Sequence, residues 1–211
     1  MNLTKLFETQ AKLDEHIMQE HPELQGQNNL DWKLLALQVE LGECANEWRG
    51  FKKWSKDQEP RTKVVNLCVT CQGTGDENYE TVTEDAESGC KHEFMKCEEC
   101  NGTGEIGTRN PLLEEYVDCL HFILSIGLEI DIKPSLYWDD ITTDESDITR
   151  KFLDITSRIL EVDQWENTDS WEELFEEFYL LGKLLGFTWK QVEEAYFKKN
   201  KINHERQESG Y

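Results

Sequence analysis

Asn110-Pro111-Leu112-Leu113-Glu114-Glu115-Tyr116-Val117-Asp118-Cys119-Leu120-His121-Phe122-Ile123-Leu124-Ser125-Ile126-Gly127 reads as a helix that is apolar nearly all round. That pattern marks a helix buried on most of its faces. Asn110 suits the capping position and Pro111 the first helical one, where a missing N–H costs nothing. Inside this run stand two carboxylates, Glu115 and Asp118, three residues apart and so on one face. A buried carboxylate is costly without a partner. The positions three and four residues beyond each hold no Lys or Arg.

The same spacing occurs upstream in Glu40-Leu41-Gly42-Glu43, within a helical apolar pattern over 31 to 54 that opens at Asp31 as a candidate cap. Glu40, Glu43 and Glu47 lie on one stripe, where like charges repel. Two carboxylate pairs without nearby cations point to a metal site. Hard divalent ions such as Mg²⁺ take oxygen ligands and bridge to substrate phosphates, so the expected substrate is phosphorylated.

Composition narrows the field. The chain has 211 residues, 22 Lys plus Arg against 44 Asp plus Glu, and a formal net charge of −22. Such a surface repels nucleic acid and anionic membrane, although bound cations can reverse the field locally. No apolar run reaches membrane-spanning length and the first residues lack a signal peptide's apolar core, so a soluble, cytoplasmic protein is expected.

Helical patterns cover 3 to 20, 31 to 54, the run from 111, 147 to 162, 170 to 185, and a last helix from 189 that Thr188-Trp189-Lys190-Gln191 opens as a capping box. Gly182 and Gly186 punctuate the chain before it. The expectation is an all-α bundle, its site between helices. Residues 61 to 109 break the pattern with Gly, Cys, Thr and acids. The predicted division is a helical core of 1–60 and 110–211 with an insert of 61–109.

Within the insert, Cys68-Val-Thr-Cys71-Gln-Gly-Thr-Gly75 and Cys97-Glu-Glu-Cys100-Asn-Gly-Thr-Gly104 repeat C-x-x-C-x-G-x-G. Two such knuckles predict a structural tetrahedral zinc site on Cys68, Cys71, Cys97 and Cys100. The glycines allow turns in which backbone N–H groups approach the sulfurs. Cys90 and His92 are spare ligands that could replace a cysteine, and a pair of redox disulfides is the alternative. The pattern resembles the cysteine-rich zinc module of J-domain chaperones; with two knuckles and no J domain, only the zinc chemistry carries over.

The C-terminal run Lys198 to Tyr211 is basic in an acidic chain. Its Lys, Arg and Asn residues suit a polyphosphate, or else complement the carbonyl end of the last helix.

Three blocks together resemble the dimeric all-α deoxyuridine triphosphatases, a branch of the all-α nucleoside triphosphate pyrophosphohydrolases of MazG type. They are Glu40-Leu-Gly-Glu43 running on through Trp48, Phe51, Lys52 and Trp54; Glu115-Tyr-Val-Asp118 with Cys-Leu-His-Phe-Ile-Leu; and Lys199-Asn200-x-x-Asn203-x-x-Arg206-Gln207-x-x-Gly210-Tyr211. The insert is the main departure. The resemblance implies hydrolysis of dUTP to dUMP and pyrophosphate, by attack at the β-phosphorus. Glu40, Glu43, Glu115 and Asp118 would hold two or more Mg²⁺ ions, with Glu40 favoured to orient or deprotonate water. Lys199, Asn200, Asn203 and Arg206 would grip the triphosphate, with Lys52 assisting. Gln10 and Trp54 are candidates for the base and deoxyribose. A homodimer is also implied, and apolar residues on the second acidic helix and from Trp165 to Trp189 would otherwise lack cover. The competing readings are a pyrophosphohydrolase for dCTP or a modified nucleotide, and a regulator that docks a protein through the zinc insert. A metal-storage bundle would want Glu-x-x-His pairs, which neither acidic pair supplies.

Overall fold

The computed structural model describes residues 3–89, 91–132 and 147–210. In chain order it contains α1 (Thr4–Glu20), α2 (Leu30–Trp48), β1 (Val64–Leu67), α3 (Val82–Ser88), β2 (Glu105–Arg109), α4 (Pro111–Glu129), α5 (Ile148–Trp165), α6 (Thr168–Leu184) and α7 (Trp189–Glu208). The chain divides into two compact units, Met1–Pro60 with Leu112–Tyr211, and Arg61–Pro111.

The fold is all-α, and α4 is the centre of the helical unit. Its Leu112, Tyr116, Val117, Cys119, Leu120, Ile123, Leu124 and Ile126 are all buried. At roughly 1.5–3 kcal/mol for each large apolar side chain removed from water, packing outweighs helix propensity in holding this segment. Four helices pin it through side chains. From α6, Trp171 donates Nε1–H to the Ile123 carbonyl at 2.9 Å, and Phe178 stacks on Tyr116 at 4.1 Å. Gly182 makes that approach feasible, since a Cβ there would strike the Tyr116 phenol. Tyr196 of α7 stacks on His121 at 4.2 Å. Lys33 of α2 pairs with Glu129 at 2.7 Å, and Ser125 donates to Asp14 of α1 at 2.7 Å. On the outside, α5 packs on α2 through Phe152 and Trp48, and on α6 through the Lys151–Glu177 ion pair at 2.5 Å. The apolar face of α4 is therefore covered within the chain. That removes the part of the expectation of a homodimer that rested on uncovered apolar residues of this helix, while Trp165 stays exposed.

Helix ends follow their local chemistry. The box at the start of α7 is closed: Thr188 Oγ1 accepts from Gln191 N and the Gln191 side chain accepts from Thr188 N. Asp147 and Asn167 cap α5 and α6. The pattern over 31 to 54 does not persist. Asn29 takes the capping position, Asp31 falls in the first turn, and the helix stops at Trp48 because Arg49 turns left-handed, φ 65°.

In the second unit, β1 and β2 pair antiparallel, Val64 opposite Arg109 and Leu67 opposite Glu105, with an irregularity between Val65 and Leu67. This hairpin base and α3 are structure that the apolar pattern of 61 to 109 did not announce. The unit's buried centre consists of Cys68, Cys71, Cys97 and Cys100, with Tyr79 packed against them.

Candidate functional site

Position 40 and position 43 of α2 and position 115 of α4 bring their carboxylates together. One oxygen from each of Glu40, Glu43 and Glu115 lies within 4.8 Å of the others. Burial, with the charges of Asp118 and Glu43, pushes Glu40 up to about 7. Burial, with Asp118, Glu43 and Glu40, does the same to Glu115. The charges of Lys199 and Arg206 only partly offset the crowding of negative charge around Glu40, and three convergent carboxylate oxygens suit a hard divalent cation.

Asp118 stands beside this cluster in a different state. Its Oδ2 accepts from Lys199 Nζ of α7 at 2.5 Å. Burial still raises its pKa, because desolvation outweighs the ammonium. The inference that no cation neutralises these acids therefore needs correcting. It holds along their own helices and fails across the fold, since Lys199 arrives from the far end of the chain.

A cavity of 580 Å³ opens next to these groups, with Glu40, Asp118, Asn203 and Arg206 in its wall. Gln10, Asp14, Lys33, His121 and Ser125 continue the wall. Lys33 and Ser125 lie about two turns along α2 and α4 from Glu40 and Asp118, so the cavity runs lengthwise between helices. A buried network lines this far stretch. Gln10 Oε1 accepts from Tyr196 at 2.9 Å and faces His121 Nδ1 at 2.8 Å, while its Nε2 donates to Asp14 at 2.7 Å. Since Gln10 Oε1 can only accept, Nδ1 carries the His121 proton. Burial depresses His121 to about 3, so the ring is neutral. Lys33, nearly inaccessible, points Nζ at Glu129 and stands 3.8 Å from Asp14.

The remaining residues singled out from sequence divide by place. Gln10, Asn203 and Arg206 line the cavity, whereas Lys199 and Asn200 are not in its wall. Asn200 is buried, and its Nδ2 has no hydrogen-bond partner among the described residues. Lys52 and Trp54 are also outside the lining: Lys52 Nζ lies 5.6 Å from the Phe51 ring, and Trp54 is 79% exposed, edge-on to Phe51. Sequence reasoning missed Asp14, Lys33, His121 and Ser125. A signal existed, because Ser125 and His121 interrupt the apolar run of α4 and Lys33 precedes the apolar Leu34 and Leu37.

In the second unit, all four knuckle cysteines are free thiols and buried. Cys68 and Cys97 Sγ are 3.8 Å apart, and Cys71 and Cys100 Sγ 3.7 Å. A tetrahedron of sulfurs at about 2.3 Å from zinc has edges of about 3.8 Å. The knuckles are mirror copies in their bonding: Gly75 N–H donates to Cys71 Sγ and Gly104 N–H to Cys100 Sγ, both at 3.2 Å. They also exchange backbone bonds, Cys68 N to Gly104 O at 2.8 Å and Cys97 N to Gly75 O at 3.0 Å. This cluster is able to hold a zinc ion. His92 is engaged elsewhere, on Asp76 at 2.5 Å, and Cys90 lies outside the described residues.

A family model described as dUTPase matches residues 2–69 and 104–211. The chain belongs to the dUTPase family. Both acidic pairs and the α7 run fall within the match, as does Cys68 of the knuckles. The unmatched stretch of this dUTPase-family chain contains Cys71, Cys97 and Cys100. No curated protein and no solved structure matches the chain. Among the described residues no helix is long and apolar enough to cross a membrane.

Proposed function

We propose that this chain hydrolyses dUTP to dUMP and pyrophosphate with Mg²⁺ held by Glu40, Glu43, Glu115 and Asp118. The observation that carries the reading is the 580 Å³ cavity, which joins Glu40, Asp118, Asn203 and Arg206 to a recess on α1, α2 and α4 where Gln10, Asp14, Lys33 and Ser125 sit among apolar side chains such as Trp32 and Phe122. Bound Mg²⁺ would neutralise phosphate charge and lower the pKa of a water nucleophile. Glu40, in the cavity wall, is the carboxylate placed to orient or deprotonate that water. Arg206 and Asn203 bind phosphate oxygens, the first by charge and the second by its amide. Lys199 exchanges Asp118 for phosphate when substrate and metal enter.

The recessed pocket selects the base. A uracil edge offers one N–H between two carbonyls, and Asp14 supplies an acceptor flanked by donors on Gln10 and Lys33. Cytosine presents a lone pair where uracil presents that N–H, so it faces Asp14 unfavourably. Release of monophosphate from a panel of dNTPs with Mg²⁺ tests this. Turnover of dUTP at least about a hundredfold above dCTP is expected, and equal turnover, or a preference for dCTP, refutes the base assignment.

The second unit holds one structural zinc through Cys68, Cys71, Cys97 and Cys100. The chain pairs as a homodimer through the α2 and α5 faces that carry Leu35, Val39, Leu153 and Leu160, each more than half exposed. Light scattering at micromolar concentration should give twice the mass of the 24.8 kDa chain; a monomer counts against pairing.

A further inference from the structure

His16 and His204 meet where α1 and α7 run side by side, and the cavity lining does not include them. Lys5 lies over Phe197 at 4.3 Å, Tyr196 reaches the Leu6 carbonyl, and His16 meets His204 further along both helices, so the two run parallel here. The two Nδ1 atoms are 2.8 Å apart, while the ring centroids are 5.0 Å apart and the planes 20° from parallel. A centroid separation that exceeds the nitrogen gap by so much sets the rings end to end. This is a hydrogen bond between two imidazoles, and both rings are half-buried.

Such a bond uses one proton and one lone pair. In the neutral pair one ring donates Nδ1–H and leaves its Nε2 bare, while the other accepts at Nδ1 and carries its proton on Nε2. A first added proton goes to the bare Nε2, and the donor becomes an imidazolium whose charge strengthens the bond. A second has only the accepting Nδ1 to occupy. It replaces the lone pair with an N–H that points at another N–H, on two rings that are now both cationic. The pair is therefore closed with one added proton or none and open with two, and its two titration steps belong to the pair rather than to either ring. Burial and the charge of His16 hold His204 below its ordinary pKa, against the pull of Glu208. The other charged groups one turn away are Lys12 and Glu20 on α1 and Lys201 on α7, and Lys201 is 3.6 Å from Glu205. In the short turn after α1, Glu23 is 3.4 Å from His21, and on α4 the titratable His121 and Asp118 are engaged by Gln10 and Lys199. Each helix of the seam thus sets a lysine before the pair and a glutamate after it. These fixed charges oppose one another, and the protons on the rings decide.

We propose that the hydrogen bond between His16 and His204 is a proton-sensitive clasp joining α1 to α7, closed at neutral pH and opened by double protonation in mild acid. Its effect reaches the cavity. Asn203 and Arg206 flank His204 on α7 and line the cavity, and so do Gln10, Asp14, Ile17 and Met18 of α1. Opening the seam lets these two walls part, so a ligand held between them is released as pH falls. The folded pair resists the second proton, whereas the unfolded chain takes it at about 6.5. The stability contributed by the clasp is therefore complete above that pH and is lost below it as the second step is passed. His121 stays neutral down to about 3 and does not share this window. The inference stands on the seam and the cavity alone, and on no assignment of substrate or reaction.

The test is a ring-nitrogen NMR titration of the full-length, zinc-loaded protein in excess Mg²⁺ from pH 8 to 4.5, beside hydrogen exchange of the α7 amides. The two rings should titrate as one coupled unit, in steps separated by at least about one pH unit. The hydrogen-bonded Nδ1 proton should survive the first step and vanish in the second. Protection of the amides from 201 to 208 should fall at least about tenfold across the second step. His16→Gln keeps a partner for either state of His204, since an amide both donates and accepts, but removes the second charge. It should raise the pKa of His204 and abolish most of the acid loss of protection. Any titration of the acidic cluster is common to both proteins, so the difference between them reports the pair. Should the variant fail to fold, the titration of the unaltered protein decides alone. Two rings that titrate independently, a bonded proton that leaves with the first step, or an equal acid loss of protection in His16→Gln would each overturn the proposal.

Discussion

Asp118 faces two claims, from the Lys199 ammonium at 2.5 Å and from the acidic cluster beside it. Its neighbour Glu43 is exposed and belongs to that cluster. The two positions should therefore respond differently to loss of charge. Under the proposed reaction, Glu43→Gln and Asp118→Asn each lower dUTP hydrolysis at least about a hundredfold. In metal-free buffer, Glu43→Gln should melt no earlier than the unaltered protein because it relieves repulsion, whereas Asp118→Asn should cost about 1–3 kcal/mol by stranding Lys199. Variants that melt early but turn over dUTP normally would sink the assignment. His121 gives a pH prediction. Its folded pKa, about 3, lies below the ordinary 6.5, so its neutral form contributes full stability above 6.5 and that contribution is lost as pH falls toward 3. Urea unfolding of His121→Leu from pH 7 to 4 should show a shallower acid loss; an identical slope would mean that His121 does not carry it. The carboxylate spacings were legible because one-turn periodicity is a local property of sequence. Lys199 against Asp118, and Gln10 against His121 and Tyr196, were not, since these partners are far apart in the chain and only packing brings them together.

Between elements, α4 and α6 meet tightly where Gly182 leaves room for the Tyr116 ring. Adding a methyl group, as in Gly182→Ala, should destabilise by about 1–3 kcal/mol, because the stacked Tyr116 and Phe178 rings are fully buried and have nowhere to move. The double variant with Tyr116→Phe removes the hydroxyl that the methyl would strike. Chemical denaturation should find it less destabilised than the sum of the two single changes, and strict additivity would show that the contact is relaxed some other way. The sequence marked Gly182 only as punctuation, since a glycine inside a helix does not reveal which ring needs its missing side chain. It likewise carried the apolar rhythm of α2 past its end at Trp48, because the left-handed turn at Arg49 falls on a residue with no local mark of one.

The molecule as a whole has two sources of stability, an apolar core around α4 and a thiol cluster on which, among the described residues, Tyr79 is the one hydrophobic side chain packed. A module of the second kind folds on its metal. Elemental analysis of protein prepared without chelator should give about one zinc per chain, and stripping it should unfold the region from 61 to 111 while leaving most of the helical circular dichroism. Zinc-free protein with four oxidised cysteines would favour disulfides instead. The pairing of Val64 with Arg109 adds a further effect of metal on the helices. That pairing sets the entry and exit of the module side by side, so the metal-loaded insert counts in the chain's polymer statistics as a short, closed ring. Opening it lengthens the tether between α2 and α4 by roughly two doublings, an entropic penalty of about 1 kcal/mol for the helical bundle. The bundle should thus feel the loss of zinc slightly through connectivity alone, and a version with the ring excised and its ends joined should recover that difference.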